Sequence, residues 1–268
     1  MSSHRRSVRP LAFSLAGACA AALLAVQPVS ARQTAADIPT VRQTLGYDSG
    51  QEITRAADVR RYFEALRAAA PDRVAIGDYA TTWEGRPLFW AAVGSPANIA
   101  RLDQIKADAR ALADPRRTSP QQAAALIADQ PVLVWMAYSV HGNEISPADA
   151  AMQAARRLLT DPTAQAWLAN TVVVFVPTQN PDGRERFLNS FASGRGSLPN
   201  PDPASAERDE PWPSGRYNHY LFDLNRDWFI QTQPETQGHA ALVRDWRPQV
   251  VVDSHEMGSD ETFFFPPA

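Results

Sequence analysis

Three residues in this sequence combine metal-binding side chains with positions just after predicted strands. His141 and Glu144 follow the apolar run 131–137, and His255 follows the apolar run 249–252. Ligands and catalytic groups of open α/β sheets lie at the carboxyl ends of the strands, so we expect the three side chains to converge if these strands are near neighbours. Two imidazoles and one carboxylate are a common ligand set for catalytic zinc, with a fourth position left for water. The sequence therefore predicts one Zn²⁺ ion held by these three residues.

Each of the three also has a simpler interpretation. His141 could be a loop histidine, Glu144 a solvated carboxylate near a helix N-terminus, and His255 a strand-end residue bonded to the backbone. A helical His-Glu-x-x-His pair does not occur in the sequence, so the protease class that depends on that pair is excluded.

Two further motifs lie between the ligand candidates. The segment Asp223-Leu224-Asn225-Arg226-Asp227 contains an arginine, the side chain best suited to bind a carboxylate with two hydrogen bonds, and Asn225 adds donors. The alternative for Arg226 is a surface ion pair with Asp223 or Asp227. The second motif, Asn180-Pro181-Asp182-Gly183, is explained equally well as a turn in which glycine supplies a positive φ.

The elements that would position these residues alternate between strands and helices. Two strands, 73–79 and 88–93, are predicted to form a hairpin, and continuous apolar runs predict buried strands at 131–137, 171–176 and 249–252. Ser146 is predicted to cap a helix over 147–159, a further helix is predicted over 234–245, and residues 181–217 are expected to form a long loop. This order predicts an α/β fold, an α/β/α sandwich with a mostly parallel mixed central sheet.

Composition narrows the functional classes. The chain has 268 residues, of which 44% are hydrophobic and 21% charged, and a net charge of −3. These values indicate a globular protein, and the sequence contains no basic stripe with interleaved aromatic residues, so nucleic acid is excluded as a partner.

The first 31 residues have the pattern of a signal peptide. Basic residues precede the uncharged apolar run Leu11–Val26, and Val29-Ser30-Ala31 offers a cleavage site. A membrane-anchoring helix is the alternative, but this run is shorter than the roughly 20 residues of a span. A lipoprotein attached through Cys19 is a weaker alternative. We therefore expect export to the periplasm or the extracellular space, an extended lead-in over 32–54, and no membrane span in the mature chain.

Taken together and in order, four motifs resemble the zinc metallocarboxypeptidase family, which includes carboxypeptidases A and B. They are His141-Gly142-Asn143-Glu144, Asn180-Pro181-Asp182-Gly183, Asp223-Leu224-Asn225-Arg226 and Asp253-Ser254-His255-Glu256, with Glu84-Gly85-Arg86-Pro87-Leu88 upstream. The resemblance covers about 55–265. It implies an α/β/α fold and one zinc ion bound by His141, Glu144 and His255. It also implies that Asn225 and Arg226 bind the terminal carboxylate of a peptide. The arginine that stabilises the oxyanion is expected after Gly183, with Arg184, Arg186 and Arg195 as candidates.

One feature of the family has no counterpart at the expected place. Its members use a glutamate far beyond the third zinc ligand as general base, whereas here Glu256 and Glu261 are the only glutamates after His255. We therefore expect the domain 55–268 to be incomplete, truncated before the catalytic glutamate, with late strands of the sheet missing.

The predicted function is hydrolysis of C-terminal peptide bonds by a zinc-activated water, on a peptide or protein substrate with a free C-terminal carboxylate. One alternative is a zinc hydrolase of N-acyl amino acids or cell-wall peptides. Another is a catalytically inactive module that binds zinc and peptide, because the general-base glutamate is absent.

Overall fold

Strands and helices alternate along residues 37–257, which the computed structural model describes. The strands are β1 Val74–Thr81, β2 Pro87–Val93, β3 Val132–Tyr138, β4 Thr171–Val176 and β5 Val250–Ser254. The helices are α1 Val41–Leu45, α2 Ala56–Ala69, α3 Pro96–Ala100, α4 Leu102–Leu112, α5 Pro120–Asp129, α6 Ser146–Thr160, α7 Pro162–Trp167, α8 Pro181–Gly194 and α9 Pro234–Trp246. The predicted signal peptide and Glu261 lie outside the described residues.

The five strands form one mixed sheet in the order β1-β2-β4-β3-β5. Strand β3 pairs in parallel with β4 and β5, whereas β2 pairs antiparallel with β1 and β4. Parallel neighbours need a crossover connection, and α6 and α7 supply it between β3 and β4. The predicted α/β class and the predicted hairpin of β1 with β2 are confirmed.

Helices cover both faces of this sheet. On one face, α2 and α6 pack against Phe89, Tyr138 and Phe175. On the other face, α4 and α9 pack against Trp135 and its strand neighbours. Alternate residues of each strand point to opposite faces, so a continuous apolar run can supply both cores at once. The predicted α/β/α sandwich is confirmed, and within residues 37–257 we find no helix with the length and apolarity that crossing a bilayer requires.

The N-terminus of α6, next to the predicted metal site, is capped from a distance. Ser146 is the first helical residue, and Ile145 precedes it without a side-chain cap. The backbone N–H of Ser146 donates to Oε1 of Glu256 at 2.7 Å, and the Ser146 hydroxyl donates to the same oxygen. The prediction that Ser146 caps this helix is wrong, because a carboxylate from the segment after β5 satisfies the helix end instead.

The segment predicted as a long loop begins with a helix. Asn180 caps α8 by accepting a hydrogen bond from the N–H of Gly183 at 2.9 Å, and Pro181 lies in the first turn. Proline and asparagine are favourable at a helix start, so the residues that indicated a loop mark an N-terminus. The loop prediction is therefore wrong for Pro181–Gly194. The expected extended lead-in over 32–54 likewise contains α1, which begins at a capping box of Thr40 and Gln43.

Strand β5 differs from the other parallel strands in its burial. Val250, Val251 and Val252 are 45%, 58% and 38% exposed, respectively. The prediction of a buried strand is wrong within the described residues, because β5 lies at the edge of their sheet and pairs there with β3.

A buried histidine on α9 connects the helix layer to the sheet. His239 is 3% exposed, and its Nε2 accepts a hydrogen bond from Nε1 of Trp135 at 3.0 Å. The two rings stack with a centroid distance of 5.6 Å. Burial lowers the pKa of His239 to about 4, and the nearby Asp253 offsets this only in part. The imidazole is therefore neutral at pH 7.

We expect the folded chain to lose stability as the pH falls from about 6.5 towards about 4. The unfolded chain binds a proton at His239 at the ordinary pKa, whereas the folded chain binds it only near its lowered pKa, so protons favour unfolding in this window. The loss is roughly 2–3 kcal/mol. In His239→Gln, which retains an acceptor for Trp135, this contribution should disappear. Urea unfolding of both proteins at pH 7 and near pH 4 measures it, and equal losses in both would contradict the prediction.

Candidate metal centre

The three predicted ligands come together because β3 and β5 are parallel neighbours. Tyr138 lies opposite Ser254 in the strand register, so the segments that follow the two residues leave the sheet at the same edge. Ser139 has a positive φ of 54°, which turns the chain sharply after β3 towards His141. His255 follows β5 directly.

The donor atoms of the three side chains form a compact cluster. One ligand atom from each of His141, Glu144 and His255 lies within 4.8 Å of the others. Nδ1 of His141 is 2.6 Å from Oε1 of Glu144, and Nδ1 of His255 is 3.0 Å from Oε2 of the same carboxylate. Both imidazoles thus direct Nδ1 towards one shared carboxylate.

The opposite ring nitrogens face two other carboxylates. Nε2 of His141 is 3.2 Å from Oδ1 of Asp223, and Nε2 of His255 is 3.0 Å from Oδ2 of Asp253. Histidines that bind metals commonly donate their other N–H to a carboxylate, which fixes the tautomer and the ring orientation. The cluster therefore has the outer partners of a metal site as well as its ligands.

Protonation in the cluster reflects the same contacts. Burial alone would raise the pKa of Glu144, but hydrogen bonds from His141 and His255 outweigh it and lower the pKa to about 2. Hydrogen bonds to Asp253 and Glu144 raise the pKa of His255 to about 10. A cation bound between the donors would replace the protons that now join them, as metal binding to imidazole requires. Two imidazoles and one ionised carboxylate fit zinc by donor type and number.

Three glycines allow backbone segments to approach one another closely beside the three candidate ligands. A Cβ atom on Gly142 would overlap the backbone nitrogen of Arg184 and lie 2.6 Å from the carbonyl oxygen of Gly215. A Cβ atom on Gly183 would overlap the same oxygen of Gly215. The motif Asn180-Pro181-Asp182-Gly183 therefore supports the loop of His141 through backbone contact, and glycine is required where the segments cross.

Asp182 extends this support to the turn between β1 and β2. Its side chain is fully buried and accepts hydrogen bonds from Thr82 Oγ1 at 2.8 Å and from Arg86 Nη1 at 2.6 Å. A buried carboxylate requires such partners. This pairing gives Arg86, from the upstream motif, a structural role.

One member of the predicted carboxylate-binding pair, Asn225, lies beside the three candidate metal ligands. Asn225 and Arg226 belong to the short 3-10 helix Leu224–Arg226, and Nδ2 of Asn225 is 3.4 Å from Nε2 of His255. The Arg226 side chain is exposed and donates to the carbonyl oxygen of Asn225 at 3.1 Å.

Arg226 has no acidic partner among residues 37–257. Asp223 pairs with Arg216, and Asp227 accepts hydrogen bonds from Thr232, Gln233 and Thr236. The alternative of a surface ion pair of Arg226 with Asp223 or Asp227 is therefore not observed. Its guanidinium is available to an anion from solvent.

The three arginines expected near the oxyanion have other contacts. Arg184 is buried and donates to the carbonyl oxygens of Thr54 and Ile145 and to Asp149. Arg186 donates to backbone carbonyls of the segment 214–219, and Arg195 pairs with Glu52. All three are engaged in holding the fold together.

Sequence reasoning missed the arginine that does lie at the cluster. Nη1 of Arg216 is 3.3 Å from Nδ1 of His141, the nitrogen that faces Glu144. Its Nε and Nη2 donate to Oδ2 of Asp223 at 3.1 and 2.9 Å. Its position shortly before the Asp223-Leu224-Asn225-Arg226 motif was the available signal.

The comparison with protein-family models agrees with the resemblance in the sequence. A model of the zinc carboxypeptidase family matches residues 59–257, and no curated protein gave a match. Carboxypeptidase A from Helicoverpa armigera is 15% identical over 82% of this chain and 52% of its own, with a TM-score of 0.48. Metallo-carboxypeptidases from Burkholderia cenocepacia and Pseudomonas aeruginosa are each 16% identical over 73% of this chain and 39% of theirs, with TM-scores of 0.45 and 0.38. This chain thus spans about half the length of the first structure and about two fifths of the other two.

We expect the purified chain to bind one zinc ion, and His141→Ala to weaken binding by more than about 100-fold, because losing a ligand costs more than losing an outer partner. Metal analysis after dialysis gives the stoichiometry, and competition with a chromophoric chelator gives the affinity. His219→Ala is the matched control, because His219 lies outside the cluster and pairs with Glu84. Equal zinc affinity in His141→Ala and the unchanged chain would contradict the assignment.

Proposed function

We propose that this chain, which belongs to the zinc carboxypeptidase family, binds one zinc ion through His141, Glu144 and His255 and acts on peptides that end in a free carboxylate. The observation that carries the proposal is the cluster of three donors with Asn225 at His255, followed in the chain by Arg226, an exposed arginine without an acidic partner in the described part of the chain. A three-donor metal site with Asn225 beside it, and an arginine at the next position in the chain, fits the terminal peptide bond of a substrate.

Substrate orientation is assigned to Asn225 and Arg226. A guanidinium binds a carboxylate through two parallel hydrogen bonds, and the amide of Asn225 adds a donor on the side of His255. A peptide whose terminal carboxylate is held at Arg226 would present its last carbonyl group towards the three-donor cluster. Zinc bound there would supply an acidified water and polarise that carbonyl.

Stabilisation of negative charge is assigned to Arg216. Its guanidinium is fixed by Asp223 and lies at the nitrogen of His141 that faces the cluster. A fixed cation at the place where charge develops lowers the barrier, because it needs no reorganisation during the reaction.

A second candidate function follows from Glu256. The resemblance to the family places the proton-transferring glutamate beyond the third ligand, and Glu256 immediately follows His255. Its Oε1, however, accepts two hydrogen bonds from Ser146 at the start of α6. We therefore assign it no proton transfer. A chain that binds zinc and peptide without turnover is the second candidate.

Localisation is a further part of the proposal. We propose export to the periplasm or the extracellular space, on the strength of the basic residues, apolar run and small residues within 1–31.

We expect the zinc-loaded chain to bind a peptide with a free terminal carboxylate more tightly than the same peptide with a terminal amide. The difference should be about 10- to 100-fold, the usual value of hydrogen bonds to a charged group. In Arg226→Gln the preference should vanish. Arg116→Gln, at a side chain 86% exposed, is the matched control. Titration calorimetry measures both peptides, and a parallel hydrolysis assay that includes N-acyl amino acids separates turnover from binding and identifies the bond cleaved. Equal binding of the two peptides by the unchanged chain would exclude the proposed orientation.

For Arg216 we expect Arg216→Gln to weaken binding of a phosphonate peptide analogue by about 100-fold, because the analogue carries negative charge where the tetrahedral intermediate would carry it. Binding of the corresponding unreactive peptide should change far less. The zinc affinity of the variant is measured alongside, since Arg216 also contacts Asp223. An equal loss for both ligands would assign Arg216 to general substrate binding.

A further inference from the structure

Asp253 lies in β5 shortly before His255 and is one of the two carboxylates that contact the outer ring nitrogens of the candidate ligands. It is the fourth residue of β5, two positions before His255, and its Oδ2 lies 3.0 Å from Nε2 of that histidine. The other carboxylate oxygen, Oδ1, accepts a hydrogen bond from Nε2 of Gln179 at 3.3 Å. One oxygen is thus held by the protein while the other faces the imidazole.

Gln179 is a rigid anchor for this carboxylate. The residue is 3% exposed and follows β4. Its backbone N–H donates to the carbonyl oxygen of Tyr138 at 3.0 Å, and its side-chain Nε2 donates to the same oxygen at 3.3 Å. Asp253 is therefore held by a residue that follows β4 and is itself bonded to the last residue of β3.

A second polar group competes for the same nitrogen of His255. Nδ2 of Asn225 lies 3.4 Å from Nε2. The orientation of the Asn225 amide is set by Trp228, whose Nε1 donates to Oδ1 of Asn225 at 3.2 Å and leaves the NH₂ group towards the histidine.

The two neighbours of Nε2 favour opposite tautomers. A carboxylate accepts a hydrogen bond, so Asp253 favours a proton on Nε2 and a lone pair on Nδ1. An amide NH₂ donates, so Asn225 favours a lone pair on Nε2 and a proton on Nδ1. Only the first tautomer offers Nδ1 to a cation beside Glu144, because a metal binds the unprotonated nitrogen.

We propose that Asp253, anchored by Gln179, is a positioning residue that holds His255 in the tautomer with Nδ1 free for the metal, against the opposite preference of Asn225. The inference rests on the proposed zinc-binding function. It parallels the contact of Asp223 with His141, so that both histidines present the same nitrogen to Glu144.

The test is the zinc affinity of the full chain, measured by competition with a chromophoric chelator in Asp253→Ala. We expect a loss of about 10- to 100-fold, the usual effect of removing a carboxylate behind a ligating histidine. Asp103→Ala, at a side chain that is fully exposed, is the matched control and should bind zinc as the unchanged chain does.

A second variant separates tautomer control from a loss of structure. In Asp253→Ala/Asn225→Ala the donor that favours the wrong tautomer is also gone, so we expect part of the zinc affinity to return. Side-chain ¹⁵N shifts of His255, recorded in the metal-free protein at a pH at which the imidazole is neutral, should show the proton on Nε2 in the unchanged chain and on Nδ1 in Asp253→Ala alone. Damage to the fold would not be repaired by a second deletion.

The outcomes are distinct. If the unchanged chain binds no zinc, the proposed function fails. If it binds zinc and Asp253→Ala binds within twofold of it, the positioning role of Asp253 is overturned. If circular dichroism shows that Asp253→Ala is unfolded, Gln179→Leu decides the question, because it leaves Asp253 in place without its anchor. A severalfold loss of affinity in that variant supports the proposal, and an unchanged affinity overturns it.

Discussion

The parallel pairing of β3 with β5 is the constraint on which the cluster of the three candidate metal ligands depends. Tyr138 opposite Ser254 brings the two segments that carry the ligands to one edge of the sheet. A shift of register by one residue would move His255 by about 3.3 Å and turn its side chain to the other face. Contacts of 2.6 and 3.0 Å to the shared Glu144 carboxylate could not survive such a shift. The contacts among the three candidate ligands therefore require this strand register.

Asp223 connects the metal cluster to the part of the site that would receive substrate. It contacts Nε2 of His141, pairs with Arg216, and caps the 3-10 helix by accepting from the N–H of Asn225 at 2.9 Å. The orientation of a proposed zinc ligand, the position of Arg216 and the start of the proposed carboxylate-binding segment thus depend on one side chain. A substitution at Asp223 would disturb all three at once, so single variants at its partners separate the roles better.

The site also depends on backbone contacts that leave no room for side chains. Gly142, Gly183 and Gly215 meet behind the cluster, and Asp182 secures the same region from the turn between β1 and β2. These contacts explain why the motif Asn180-Pro181-Asp182-Gly183 gives structural support to the loop of His141. They also explain how a helix start at Asn180 reaches so close to the loop of His141.

The sequence by itself determined the fold class and the donors of the cluster, because apolar runs specify strands and because histidine and glutamate at strand ends differ visibly from their surroundings. Only the tertiary structure decided which arginine lies at the cluster, how exposed β5 is, and that Glu256 caps α6. These features depend on partners far away in the chain: Arg216 reaches His141 across 75 positions, and Glu256 reaches Ser146 across 110. Local spacing predicts which groups are available, but a charged side chain takes its role from the groups that folding places within hydrogen-bond distance.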